Sequence, residues 1–177
     1  ANLIVQIGRD EQLETAWDVA RIAVAHRDGG VVGLDLAGDE VRYPCRDLAD
    51  IFRWARSEGM DITVHAGEAA GAHNVRDAIE LLGAHRIGHG IRTIENSQVV
   101  RLVRDRAITL EVCPTSNLQT GVVVRAGQHP LRDMLTLGLR ATLNTDDPSI
   151  SDTTLTDEYV VAVLAIGLAL EDVKRSI

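Results

Sequence analysis

Six short apolar runs recur along the chain roughly every 22 to 31 residues, at positions 3–7, 31–36, 61–65, 86–89, 107–113 and 139–144. Between them lie stretches with helical spacing, at 11–26, 46–57, 74–82, 94–105 and 131–137, and a last helix is expected from about Asp157. This beat constrains the fold more than any other feature, because it is the signature of repeated βα units. The strands are near-continuously apolar rather than alternating, which predicts a parallel sheet covered on both faces. Helix 11–26 carries its period in Leu13, Ala16, Trp17, Ala20 and Val24, and Gly29-Gly30 ends it. Pro114 and Pro148 fall just past strand ends, where a missing donor is tolerated. Neither GxGxxG nor GxxxxGK[ST] occurs, so dinucleotide and P-loop readings have no support.

Composition narrows the class. The 177 residues are 45% hydrophobic and 25% charged, as in ordinary globular domains. Eighteen basic against 26 acidic residues give a net charge of −8, and only 3% are aromatic. Nucleic-acid and anionic-membrane surfaces are therefore unsuitable partners. Two distant cysteines, Cys45 and Cys113, form no thiol metal pattern and fit a reducing, cytoplasmic setting. The longest apolar run, 160–170, is too short to span a bilayer.

Polar chemistry collects where the strands finish. Asp35-Leu-Ala-Gly-Asp-Glu40 closes the second strand, His65-Ala-Gly-Glu68 the third and Gly88-His89-Gly90 the fourth. Glu111-Val-Cys-Pro-Thr-Ser-Asn117 closes the fifth and Asn144-Thr-Asp-Asp147 the sixth. In a TIM barrel such carboxyl ends converge on one face and build the active site, which favours a barrel over an open sheet. Taken singly, each residue has a plainer reading. His65 with Glu68 could be a core imidazole and a helix-entry carboxylate. His89 could be incidental to a glycine turn. Asp146-Asp147 could form an Asx turn before Pro148. His26, His73, His85 and His129 lie near helix ends or starts and are assigned to structure or surface.

Five of these segments, in order, resemble the adenosine deaminase family of the metal-dependent amidohydrolase barrels. They are Asp35 to Glu40, Thr63-Val-His-Ala-Gly-Glu68, Arg86-Ile-Gly-His-Gly90, Glu111 to Asn117 and Leu143-Asn-Thr-Asp-Asp-Pro148. The resemblance implies that His65 and Asp146 are metal ligands for one Zn2+. It makes Glu68 the proton donor to the purine and has His89 orient or deprotonate the attacking water. Asp147 and the backbone at Gly38 would bind the base. The family also needs a His-x-His on its first strand, and this chain has none.

The expectation is therefore an α/β fold: residues 1–177 as one partial (β/α)8 barrel domain, the third to eighth units, with the remaining ligands upstream. A partner chain or missing segment would complete the barrel, and the chain alone would be inactive. The expected activity is deamination of adenosine to inosine and ammonia. Alternatives are adenine, a modified adenosine such as aminodeoxyfutalosine, or another amidohydrolase-barrel reaction. A two-metal site bridged by lysine is disfavoured, since Lys174 is the only lysine. A noncatalytic binding protein on the same scaffold is the third possibility.

Overall fold

A computed structural model describes residues 2–176. Six strands form one parallel sheet in the order β1-β2-β3-β4-β5-β6. They are β1 (Leu3–Gly8), β2 (Val31–Ala37), β3 (Asp61–Ala66), β4 (Arg86–His89), β5 (Thr109–Val112) and β6 (Arg140–Leu143). Strictly sequential neighbours leave no reversal of strand order, and a doubly wound sheet needs one. The same order with a helix after each strand is the wall of a parallel barrel. Among the described residues, β1 pairs with β2 alone and β6 with β5 alone, so the wall is an arc with two edges.

Helices α1 (Leu13–Ala25), α2 (Ala49–Ser57), α3 (Ala72–Asp77), α4 (Ser97–Asp105) and α6 (Leu131–Thr136) follow the first five strands. Helix α3 continues into a π-helical turn at Ala78–Leu82. Its companions pack small or branched faces onto the strands. Ala16, Ala20 and Ala23 of α1 are buried, as are Ile51, Phe52 and Ala55 of α2 and Val99, Val100 and Val103 of α4. They meet Leu34, Ile62, Val64, Ile87 and Leu110 in one contiguous core. Removing such surface from water is the main stabilising term. Asn96 caps α4 by accepting from the N–H groups of Gln98 and Val99.

Two short helices are absent from the sequence reading. Pro114 and Pro148 open α5 (Pro114–Gln119) and α7 (Pro148–Ser151) at the first helical turn. Proline suits that position because its missing N–H has no partner there anyway. The last helical region is also broken up. Helix α8 (Leu155–Val160), opened by a Thr154/Asp157 capping box, runs into a π-helical turn at Val161–Ile166, and α9 (Leu170–Arg175) follows. No helix among the described residues is long and apolar enough to cross a membrane.

Candidate active site at the carboxyl ends of the strands

His65 sits on β3 one residue before its end, and the chain turns there into the loop carrying Glu68. His89 ends β4. Asp146 follows β6 by three residues. The parallel register places His65 opposite Gly88 and Ala66 opposite His89, so these strand ends lie side by side. The rings of His65 and His89 are 5.3 Å apart at their centroids. Donor atoms of His65, His89 and Asp146 all lie within 4.8 Å of one another. His89 Nε2 is 3.6 Å from Glu68 Oε2 and 3.7 Å from Asp146 Oδ2. Four of the six expected residues are thus brought together. Asp147 adjoins Asp146 and is exposed, and the exposed Gly38 directly follows β2 with φ +111°.

This convergence is held under strain. His89 and Asp146 both occupy the left-handed region, with φ of 60° and 59°. Non-glycine residues seldom do so outside sites where the surrounding structure fixes them. The glycines flanking His89 are there for space and conformation. A Cβ on Gly88 would meet the His65 ring at 3.0 Å. Gly90 has φ +63°, and a Cβ there would meet Leu110 at 2.7 Å.

Around these side chains lies a set of buried partners to which the sequence analysis assigns no role. The Asp35 carboxylate accepts from His65 Nδ1 at 2.9 Å and from Gln6 Nε2 at 3.0 Å. Burial alone would raise Asp35, but the His65 ring and Gln6 outweigh it and hold the carboxyl below its ordinary value. Burial would likewise lower His65, yet Asp35 raises it overall. Arg9, buried just past β1, donates to the His65 carbonyl at 2.7 Å and to the Tyr43 carbonyl at 2.8 Å. Glu40 is buried and takes the backbone N–H groups of Gly67, Glu68 and Ala70 at 2.7 to 2.8 Å. Its carboxylate also accepts from Asn74 Nδ2 at 3.2 Å. The loop that presents Glu68 is therefore folded around one anion. Glu158 does the same for α5, accepting from the Thr115 N–H and the Thr153 hydroxyl, both at 3.1 Å.

Asn117 is fully buried and touches Glu68, His89 and His129. His129, assigned to structure or surface from the sequence, proves to be interior. His26, His73 and His85 are exposed. For His89, burial lowers the pKa most and His65 adds to that, while Glu68 and Asp146 act in the opposite sense, leaving it below the ordinary value. Both cysteines are free and buried, and burial pushes the Cys45 thiol up to about 11. Neither is an activated nucleophile.

The donor set suits a single divalent ion. Asp35 accepts a hydrogen bond from His65 Nδ1, which leaves Nε2 free to ligate an ion, and such a carboxylate behind a histidine is a common support for zinc ligation. Beside these groups is a cavity of about 350 Å³ lined by His65, His89, Glu111, Cys113, Leu143 and Asp146, among others. A second cavity of about 490 Å³ opens on the far side of Glu68, with Ile91, Ile94, Val123 and Pro130 in its walls. Glu68 stands between polar chemistry and a partly apolar hollow.

A family model described as "Adenosine deaminase" matches residues 1–176. An adenosine deaminase of Erwinia tasmaniensis is 45% identical over 151 residues, which are 85% of this chain and 45% of that protein. One from Klebsiella pneumoniae is 44% identical over 153 residues, or 86% of this chain and 46% of the relative. The chain spans about half the length of the curated relatives it matches. Among solved structures, an adenine deaminase from Arthrobacter aurescens superposes with TM-score 0.92 at 29% identity, covering 98% of this chain and 53% of that one. An N6-methyl-AMP deaminase from Arabidopsis thaliana gives 0.86 at 28% identity, with 97% and 50% covered. A zinc-bound amidohydrolase from Burkholderia ambifaria gives 0.89 at 28%, with 99% and 49% covered.

Proposed function

The chain belongs to the adenosine deaminase family, and from that premise we propose that it carries the catalytic half of a site for hydrolytic deamination of adenosine to inosine and ammonia. The observation that carries this reading is the meeting of His65, Glu68, His89 and Asp146 at the strand ends. His65 and Asp146 would hold one zinc ion, with further histidine ligands supplied from outside these 177 residues. When bound, zinc supplies Lewis acidity that makes a water nucleophilic near neutral pH.

The chain's own residues do the rest. His89 and Asp146 hold the attacking water on one face of the purine. As the ring loses aromaticity at the amine-bearing carbon, one of its nitrogens gains a proton from the Glu68 carboxyl. Asp147 and the backbone N–H at Gly38 hydrogen-bond the base and set its orientation. The unpaired edges of β1 and β6, with Leu3 and Ile4 exposed, fit a barrel completed by further βα units from a missing segment or a partner chain. The free, buried cysteines suit a reducing cytoplasm.

Glu68→Gln tests the reading in the protein that carries this chain at its full length. Turnover of adenosine is expected to fall about 10²–10⁴-fold while zinc content is unchanged, because an amide keeps the shape and cannot give the proton. Near-normal turnover would discard the role. The likeness to an adenine deaminase favours one second reading, the free base as substrate. Comparing kcat/KM for adenosine and adenine decides between them.

A further inference from the structure

One buried run of hydrogen bonds has no part in that mechanism. It starts at an unambiguous donor: the backbone N–H of Leu131 donates to His129 Nδ1 at 3.1 Å. A ring nitrogen that accepts carries no proton, so neutral His129 has its proton on Nε2. That Nε2 lies 3.3 Å from the Asn117 side chain, and the atom it meets must be the carbonyl Oδ1. The orientation of the Asn117 amide is thereby fixed by its hydrogen-bond partners. Its two Nδ2 hydrogens then reach Glu68 Oε1 at 3.2 Å and His89 Nδ1 at 3.1 Å. His89 Nδ1 is consequently an acceptor. The proton of neutral His89 sits on Nε2, which faces Glu68 Oε2 and Asp146 Oδ2.

We propose that Asn117 and His129 are positioning residues that hold His89 in its Nε2–H tautomer, so that His89 donates a hydrogen bond to the attacking water instead of acting as its base or as a third metal ligand. The proposal rests on the deaminase reading of the site. His65, whose ring centroid is 5.3 Å from that of His89, makes the contrast plain. The acceptor behind it is the Asp35 carboxylate, so His65 keeps its proton on Nδ1 and a lone pair on Nε2. Two adjacent imidazoles are set in opposite tautomers by what stands behind them, one as ligand and one as donor.

Two further features agree. Asn117 is fully buried and His129 is 4% exposed, so water does not compete for their hydrogen bonds. Burial lowers His129 to about 4, which keeps it neutral and able to accept from Leu131. The same amide also distinguishes the oxygens of Glu68. Oε1 receives Asn117 Nδ2 and, at 3.4 Å, the Thr120 hydroxyl, while Oε2 faces His89 Nε2 at 3.6 Å.

The test is nitrogen-15 NMR of histidine-labelled, metal-free full-length protein at pH 8, with the His89 signals identified by their loss in His89→Ala. Wild type is expected to show a protonated Nε2 and a bare, accepting Nδ1 at His89. Asn117→Asp places an acceptor behind the ring and is expected to reverse this tautomer. It should lower kcat on the order of 10²-fold with KM changed less than about threefold, since the loss falls on the chemical step. His129→Phe keeps a ring and removes both hydrogen bonds, so the Asn117 amide is free to turn; a kcat loss of about tenfold is expected, smaller because Asn117 itself remains. A wild-type His89 protonated on Nδ1 overturns the proposal without any variant having to fold, and so does a tautomer indifferent to Asn117→Asp. Wild-type protein that fails to turn over adenosine would instead reject the deaminase reading, while the NMR signal still decides the tautomer.

Discussion

The two ends of the same six strands treat charge in opposite ways. At the amino ends, the Asp61 side chain is 84% exposed and faces a 53% exposed His85 across 3.8 Å. Water solvates both, and neither depends on the other. At the carboxyl ends, Asp35, Glu40, Asn117 and His129 are buried and each is met by hydrogen-bonding partners from other elements. Burying a polar group unpaired costs several kcal/mol, so a fold keeps such groups inside only with their partners supplied. The difference marks the carboxyl ends as the candidate site independently of any motif. One end of the wall is merely polar, and the other is polar and dry, with Asp35, Glu40, Asn117 and His129 each buried against a partner.

The sharpest way to break that comparison is Glu40→Ala. The carboxylate is the common acceptor for the N–H groups of Gly67, Glu68 and Ala70 and for Asn74. Its removal leaves buried donors without partners and is expected to cost about 3–5 kcal/mol in the full-length protein. Urea denaturation monitored by circular dichroism measures it through the shift in midpoint at constant slope. A loss under about 1 kcal/mol would mean that water replaces the carboxylate readily and that the loop is not organised around it.

The carboxyl-end chemistry was partly legible in the sequence for a physical reason. Strand ends and their polar residues are adjacent in the chain, so His65, Glu68, His89 and Asp146 could be picked out together. The parallel register then carried them into one place. Partners at long separation were not legible. Glu40 reaches Gly67 over 27 residues, Asp35 reaches His65 over 30, and Asn117 reaches Glu68 over 49. All three lay inside the segments that carry the family resemblance, but nothing local says where a carboxylate or amide will point. His129 was harder still, because a histidine before a helix usually stays near solvent. The one local clue is its place two residues before the first N–H of α6, where a ring nitrogen can accept. The strands themselves are legible to within two residues at each end. Helices α5 and α7 escaped because each is a short turn set by its opening proline, too brief to show a period.

A second, somewhat smaller effect follows from His129. Its folded-state pKa is about 4, below the ordinary 6.5. As pH falls below 6.5 the unfolded chain takes up a proton that the folded chain refuses, so stability is lost between pH 6.5 and about 4 and no further below that. The stability at stake is about 3 kcal/mol over this window. The stability-versus-pH curves of wild type and His129→Phe should therefore converge as the pH falls, with the variant lacking this slope. Parallel curves would place His129 in contact with water and remove it from the dry end.

The smallest expected effect sharpens the comparison from the other side. Asp61 opens β3, yet its carboxylate stands in solvent, and its pairing with His85 at 3.8 Å is at the outer limit of an ion pair. An exposed pair of this kind gains little Coulomb energy, loses side-chain freedom and is screened by salt. Asp61→Asn should therefore change stability by less than about 0.5 kcal/mol and leave turnover unaltered. The backbone bonding at this strand end is unaffected, because the His85 N–H donates to the Ile62 carbonyl and not to the Asp61 side chain. Denaturation of wild type and variant in low and high salt checks both statements. A loss above about 1 kcal/mol, or one that persists in high salt, would show that the amino end is also built around its charges, and the contrast between the two ends would fail.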